Sequence, residues 1–306
     1  MPAPRAPTDP PPCDEAIEAF QCFGAGCAVL VAGSGPAGTP GQAAQRAKRR
    51  LLDWHAQFSR FEPGSELSRL NGDPRETVPV SSLMARFVQA AVGAAAMTGG
   101  LVDPTLVSEI ERAGYCAHFD AVSVPLATAL ASAPPRVPAA ASPAARWREV
   151  RVDRNAGTVT RAPGVRLDSG GIAKGMFGDV LASVLSAHES FAVDAGGDVR
   201  FGGTGGLLRP VQVASPFEDS VLHVFELRHG AAATSGIGRR SWLDSDGRPA
   251  HHLLDPASGR PAFTGVVQVT ALAPSSRRAR SRTQGSDRPD HRSSPRRPAQ
   301  PRRSAP

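Results

Sequence analysis

Lysine is almost missing from this chain. Only Lys48 and Lys174 occur in 306 residues, against 33 Arg. Aromatic side chains make up 5% of the sequence and include one tyrosine. The four cysteines (Cys13, Cys22, Cys27 and Cys116) show neither a CxxC pair nor any other metal-ligand spacing, so they read as ordinary thiols of a reducing compartment. Residues 1–14 are Pro-rich, lack the apolar core of a signal peptide and read as a disordered lead-in. No apolar run is long enough to span a membrane. The expected location is therefore the cytoplasm, with no membrane partner. Acidic charge is scarce at one end only. Residues 275–306 hold ten Arg and two Asp, a net of +8 within a chain of net +7, so everything before them stands at −1. The basic balance belongs to a tail, and a nucleic-acid partner for the folded part loses its main support.

What is present is an alternation of helical and extended patterns. Ala19 to Val31 reads as strand, glycine break, strand. Ala47, Leu51, Trp54 and Phe58 recur at helical spacing, which predicts a helix over 42–58. Ser65 is placed to cap a short turn. A second helix is predicted over 81–98, with Leu83, Phe87, Ala91 and Ala94 inward and a stop at Gly99-Gly100. Residues 123–147 are rich in Ala and Pro and read as a linker or surface excursion. Glu149–Asp153 and Thr158–Thr160 read as a hairpin, and further strands are expected at 191–194, 211–214, 221–227 and 266–273. From Ser275 onward the only apolar side chains are three alanines. That composition cannot build a core, so 275–306 is expected to be a disordered tail and 15–274 the folded domain.

The stretch that organises the chain is Arg166-Leu167-Asp168-Ser169-Gly170-Gly171-Ile172-Ala173-Lys174-Gly175. The part before Asp168 reads as the end of a strand. The part after Gly171 reads as a helix with Ile172, Val180, Leu181, Val184 and Leu185 on its apolar stripe. Adjacent glycines let backbone approach a ligand closely, and the N–H groups of a first helical turn favour an anion. Lys174 sits in that turn, where its charge adds to the positive end of the helix. Only a bound anion offsets this, and a phosphate is the natural candidate.

Six blocks occur in an order that resembles the ApbE family, the FAD:protein FMN transferases. They are Phe58-Ser59-Arg60-Phe61 with Ser65-Glu66-Leu67 and Asn71; Asp103-Pro104-Thr105; Asp168 to Gly175; Asp194 to Asp198; Ala233 to Gly236; and His252 to Pro256 with Gly259-Arg260-Pro261. The resemblance implies an α+β fold of mixed sheets with flanking helices, T-fold-like, holding FAD in a cleft. It implies Mg²⁺-dependent transfer of FMN from FAD to a Ser/Thr hydroxyl of an acceptor flavoprotein, with release of AMP. The alternatives within the same resemblance are an FAD pyrophosphatase and an FAD-binding protein without turnover. By family match, His252 is the catalytic base. Phe23, Phe61, Leu101, Val102, Asp103, Asp168, Lys174 and Leu254 contact FAD, and Gly171 offers a carbonyl to the metal.

Plain structural readings stand beside these. Glycine pairs make turns, a histidine before Leu253-Leu254 packs, Phe61 fills a core and Asp103 before a proline shapes a turn. The family pattern continues past its last strand with a helix carrying an acidic residue and a Thr for the metal. Here it breaks off after Pro274-Ser275 into Arg/Pro/Ser text. A shifted reading frame in a GC-rich gene is the expected origin of that text, and weak metal binding the expected consequence.

Overall fold

Ala16–Cys22 and Ala25–Ala32 pair as an antiparallel hairpin in the computed structural model, which describes residues 14–117 and 124–285. Their two-residue connection, Phe23-Gly24, has positive φ at both positions (55° and 65°), as a type I′ turn requires. A phenylalanine is an unusual occupant of that backbone region, and the turn aims its ring at the cleft described below.

The hairpin opens a six-stranded sheet continued by Ser190–Asp194, Asp198–Gly202, Gly230–Gly236 and Gln268–Ala273. Spatial order follows chain order, and each neighbouring pair is antiparallel. The two-residue alternation of a strand divides this sheet's side chains between two layers. Phe191 and Val193 face the main helical core, whereas Ala192, Phe201 and Ala232 meet Val211 and Leu227 of the separate hairpin Arg209–Ala214/Val221–Leu227. The fold is α+β.

Three helices cross the other face. Pro40–Phe58 lies over the first hairpin, Ala173–Leu185 over the middle strands and Ser276–Gln284 over the last two. The first starts with a Thr39/Gln42 capping box and Pro40, and buries Ala43, Ala44, Ala47, Leu51 and Phe58. The helix Ser82–Met97 is capped by Ser81, buries Phe87, Ala91 and Ala94, and stops where the Gly100 N–H donates to Ala95 O at 2.7 Å. Ser65 caps Glu66–Gly72 by accepting from Ser68 N–H at 2.9 Å. No helix among the described residues is long and apolar enough to cross a membrane.

Three expectations need correction. The run before Asp168 belongs to no sheet. The Asn71 side-chain amide pairs with Leu167 instead, accepting from its N–H at 2.7 Å and donating to its carbonyl at 2.9 Å, as a strand partner would. Val184 is exposed, and the helix buries Met176 and Phe177 alongside Ile172, Leu181 and Leu185.

The third correction concerns residue 275. Ser276–Gln284 is a helix with Ala279, Arg280, Ser281 and Thr283 buried. Ordering comes from polar anchors that an apolar count does not register. The Asp179 carboxylate accepts from Ser276 N–H at 2.8 Å and Arg277 N–H at 3.2 Å, capping the helix from a neighbouring one. Gly175 and Gly178 leave room for this: a Cβ on Gly175 would lie 3.0 Å from Ser276 backbone. Ala231, Ala233, Ala273 and Ala279 let the helix sit close to the sheet, where it covers the strand Gln268–Ala273. The expected domain boundary after 274 thus falls inside a packed unit, while 286–306 and the lead-in up to residue 13 lie outside the described residues. Within 124–147, the expected linker carries the short helix Leu126–Ala131 and is tied back through Ala140 N–H to Asp255 Oδ1 at 2.8 Å.

Candidate functional site: a basic cleft at the sheet face

The first hairpin, the helix Ala173–Leu185, the last helix and the loops around 60, 102, 170, 196, 240 and 252 enclose a cleft of about 1320 Å³. Phe23, Phe61, Leu101, Val102, Asp103, Asp168, Gly171, Lys174, His252 and Leu254 all line it, although they come from five separate stretches of chain. His251 does not line it. That residue is buried against Phe263, with ring centroids 4.9 Å apart.

Aromatic rings form two walls. Phe23 stacks on Phe177 at 5.8 Å, which stacks on Trp54 at 4.9 Å. On the other side Phe61 meets Tyr115 edge-on at 5.3 Å, and Tyr115 stacks on Trp242 at 5.6 Å. The Arg60 guanidinium lies over Phe61 (4.3 Å) and Tyr115 (4.9 Å) and reaches Asp168 at 3.4 Å. Asp168 is further held by its own N–H, which donates to Pro104 O at 2.8 Å.

The floor between these walls is cationic. Lys174 lies in the first turn of a helix with no acidic residue in that turn and no side-chain cap. Its ammonium sits 5.9 Å from the Phe23 ring centroid, and none of the ion pairs among the described residues includes it. Burial, then the charges of Arg240 and Arg280, bring its pKa down to about 8. Arg240 donates to Phe23 O at 2.6 Å. Arg280 is buried, with Nη1 3.2 Å from Asp198 Oδ1 and Nη2 3.3 Å from Gly170 O. The same two guanidinium groups, after burial, push His252 well below the ordinary imidazole range. Its ring is neutral at pH 7, and Nδ1 lacks a hydrogen-bond partner. Among the acidic groups, Asp194 is pushed up by burial while accepting from Gly197 N–H at 2.8 Å. Asp103 is also pushed up by burial, and its Oδ1 accepts from both the N–H (2.8 Å) and the hydroxyl (2.6 Å) of Thr105.

The sequence profile of the ApbE family matches residues 23–281. The chain belongs to the ApbE family. The match runs through the first part of the last helix, in agreement with the packing just described. The chain is 29% identical over 273 residues to the FAD:protein FMN transferase of Treponema pallidum (strain Nichols), covering 82% of this chain and 72% of that protein. It is 31% identical over 236 residues to the FAD:protein FMN transferase of Rhodobacter capsulatus, covering 72% of this chain but 40% of the relative. In structure it is similar to the ApbE protein of Thermotoga maritima, with TM-score 0.72, 28% identity and coverage of 89% of this chain and 86% of that one. The flavin transferase ApbE of Vibrio cholerae shares the fold at TM-score 0.69 and 22% identity, over 90% of this chain and 86% of its own. Membership places the chain among flavin transferases, an enzyme family.

The Mg²⁺ that ApbE membership implies does not fit the residues present. No group of three or more His, Cys, Asp or Glu converges on one point among the described residues. The Gly170 carbonyl, next to the expected ligand Gly171, already accepts from Arg280. Gln284 fills the space over Gly171, where a Cβ would lie 2.9 Å from its Oε1. A permanent guanidinium charge beside the carbonyls raises the energy of any dication there. Reading the ApbE blocks also left Tyr115, Arg240 and Arg280 without roles, and assigned none to Arg60. Arg60 and Arg240 sit inside or just past recognisable blocks. Arg280 had no signal, because it lies beyond the point where the pattern stops.

Proposed function

We propose that this protein transfers the FMN half of FAD to a Ser or Thr hydroxyl of an acceptor flavoprotein and releases AMP. The observation that carries the reading is the convergence of ten residues, expected on FAD or its reaction, on one cleft. Its volume exceeds the roughly 300–1,000 Å³ usual for small-molecule sites, as an extended dinucleotide needs.

The chemistry follows from the residues. The N–H groups of Ile172 and Ala173 turn back to Ser169 O, which leaves those of Gly170 and Gly171, with Lys174, to meet the diphosphate, and Arg240 supports them. Phe23, Phe61 and Leu254 offer apolar faces to the ring systems, and Leu101, Val102 and Asp103 line the adenosine side. His252, neutral at pH 7, accepts the proton of the acceptor hydroxyl. The hydroxyl oxygen then bonds to the phosphorus on the FMN side as the bond from that phosphorus to the bridging oxygen breaks, and AMP departs with that oxygen. Magnesium is left out of this scheme because, among the described residues, no three acidic, His or Cys side chains converge and the Arg280 guanidinium stands on the Gly170 carbonyl. Water in place of the hydroxyl would give FAD hydrolysis through the same groups.

The test is incubation with FAD and a peptide carrying a Ser/Thr flavinylation motif, followed by mass spectrometry. A peptide bearing FMN, with AMP formed in equal amount, is expected. AMP and free FMN without adduct would support the pyrophosphatase reading, and retained intact FAD the binding-protein reading.

Lys174 makes the binding step sensitive to pH. The free cleft holds its pKa at about 8, and a bound diphosphate favours the charged form and raises it. The complex therefore carries more protons than the free protein above pH 8. FAD affinity is expected to be level below about pH 8 and to fall above it, by up to about tenfold per pH unit. Fluorescence titration from pH 6.5 to 9.5 measures this, and Lys174→Met should flatten the profile.

A further inference from the structure

We propose that Arg280 is a built-in counter-cation for the diphosphate, so that this protein holds FAD without a divalent metal. The inference rests on the flavin reading above and changes what neutralises the phosphates. Arg280 is 7% exposed, yet it lines the cleft beside Gly170 and Gly171, where the family resemblance expects the metal. Its position is held from both ends. Asp179 caps its helix, and the fully buried side chain of Asp198 takes Nη1. That leaves a guanidinium oriented on the cleft wall, with Nη2 on Gly170 O at 3.3 Å. A guanidinium presents five N–H donors in a plane. Here Asp198 Oδ1 and Gly170 O take two of them, and the Gln284 amide lies 3.3 Å from Nε and Nη2, so a phosphate takes the remaining donors and the place of the Gln284 amide.

The surrounding charge argues for an anion as the missing partner. Arg240 and Arg280 both stand near enough to Lys174 to act on its charge. Of these three, only Arg280 has a carboxylate in ion-pair contact among the described residues. Mutual repulsion among three cations at a partly buried wall is relieved by a polyvalent anion and aggravated by a dication.

The experiment is calorimetric titration of the full chain with FAD and, separately, with riboflavin, which has the ring system and no phosphate. Each is run in EDTA and in millimolar MgCl₂, with wild type, Arg280→Gln and Arg280→Lys. Wild-type affinity for FAD is expected to be the same within about twofold in both buffers. Arg280→Gln should weaken FAD at least about tenfold in both, the loss of one charge-assisted contact, and leave riboflavin within about threefold. Arg280→Lys should fall between the two, since it keeps the charge and loses the fork. FAD binding that requires Mg²⁺ while riboflavin binds in EDTA would overturn the proposal and leave the flavin reading intact. Unchanged FAD affinity in Arg280→Gln would do the same. If wild type binds neither ligand in either buffer, the flavin reading itself fails, and the proposal with it.

Discussion

His252→Ala is expected to lower the rate of FMN transfer to the acceptor peptide by about 10²–10⁴-fold, the usual contribution of a positioned general base. FAD affinity should stay within about threefold, because His252 serves the hydroxyl and not the dinucleotide. The separation of rate from affinity is the informative part. Burial, and after it the two guanidinium groups, keep His252 neutral and make its conjugate acid costly, so the proton it accepts must leave quickly or pass to the departing group. The rate should therefore show no loss on lowering the pH through 6.5, where an unperturbed imidazole would protonate. Single-turnover mass spectrometry between pH 5.5 and 8 gives both readouts. Full transfer by the Ala variant would remove His252 from the mechanism. His251→Ala is the contrasting variant, since that ring is buried outside the cleft and affects packing.

Phe177→Ala is expected to reduce the unfolding free energy by about 3–5 kcal/mol, measured by urea denaturation followed by circular dichroism. Phe177 is fully buried at the meeting point of the helix Ala173–Leu185 and the first helix. It contacts Trp54 at 4.9 Å, Phe58 at 5.2 Å and Phe23 at 5.8 Å between centroids. Truncation removes both the ring's transfer free energy and the partners that the surrounding rings cannot regain by small shifts. Function should suffer as well, because Phe23 rests on this ring and is held in a left-handed turn that it would leave if the support went. A loss below about 1 kcal/mol would show that the cluster closes over the gap.

Much of the scaffold was legible in the chain. Helical spacing of Ala47, Leu51 and Phe58 located the first helix, and Thr39-Pro40 explains its start. The glycine pair at 99–100 marked the end of another helix. These signals are local: spacing, caps and positive-φ glycines act within a few residues. The candidate site was legible through a resemblance spread over six blocks, and the spacing of His252 from Asp255-Pro256 picked the histidine that faces the cleft over the one that does not. The run before Asp168 was misread because its partner is a side chain, Asn71, 96 residues away.

By itself, then, the order of residues decided the helix limits, the hairpins, the ApbE membership and which histidine to choose. Those depend on near neighbours or on blocks of text. Only the tertiary structure decided that residues 276–284 of the Arg-rich segment form a packed helix, that Arg280 stands beside the diglycine corner, and that His252 is neutral. The contacts responsible join Asp179 to Ser276 across 97 positions and Asp198 to Arg280 across 82. A charge buried in the folded state takes its partners and its dielectric surroundings from distant segments, and no local pattern in the chain records them.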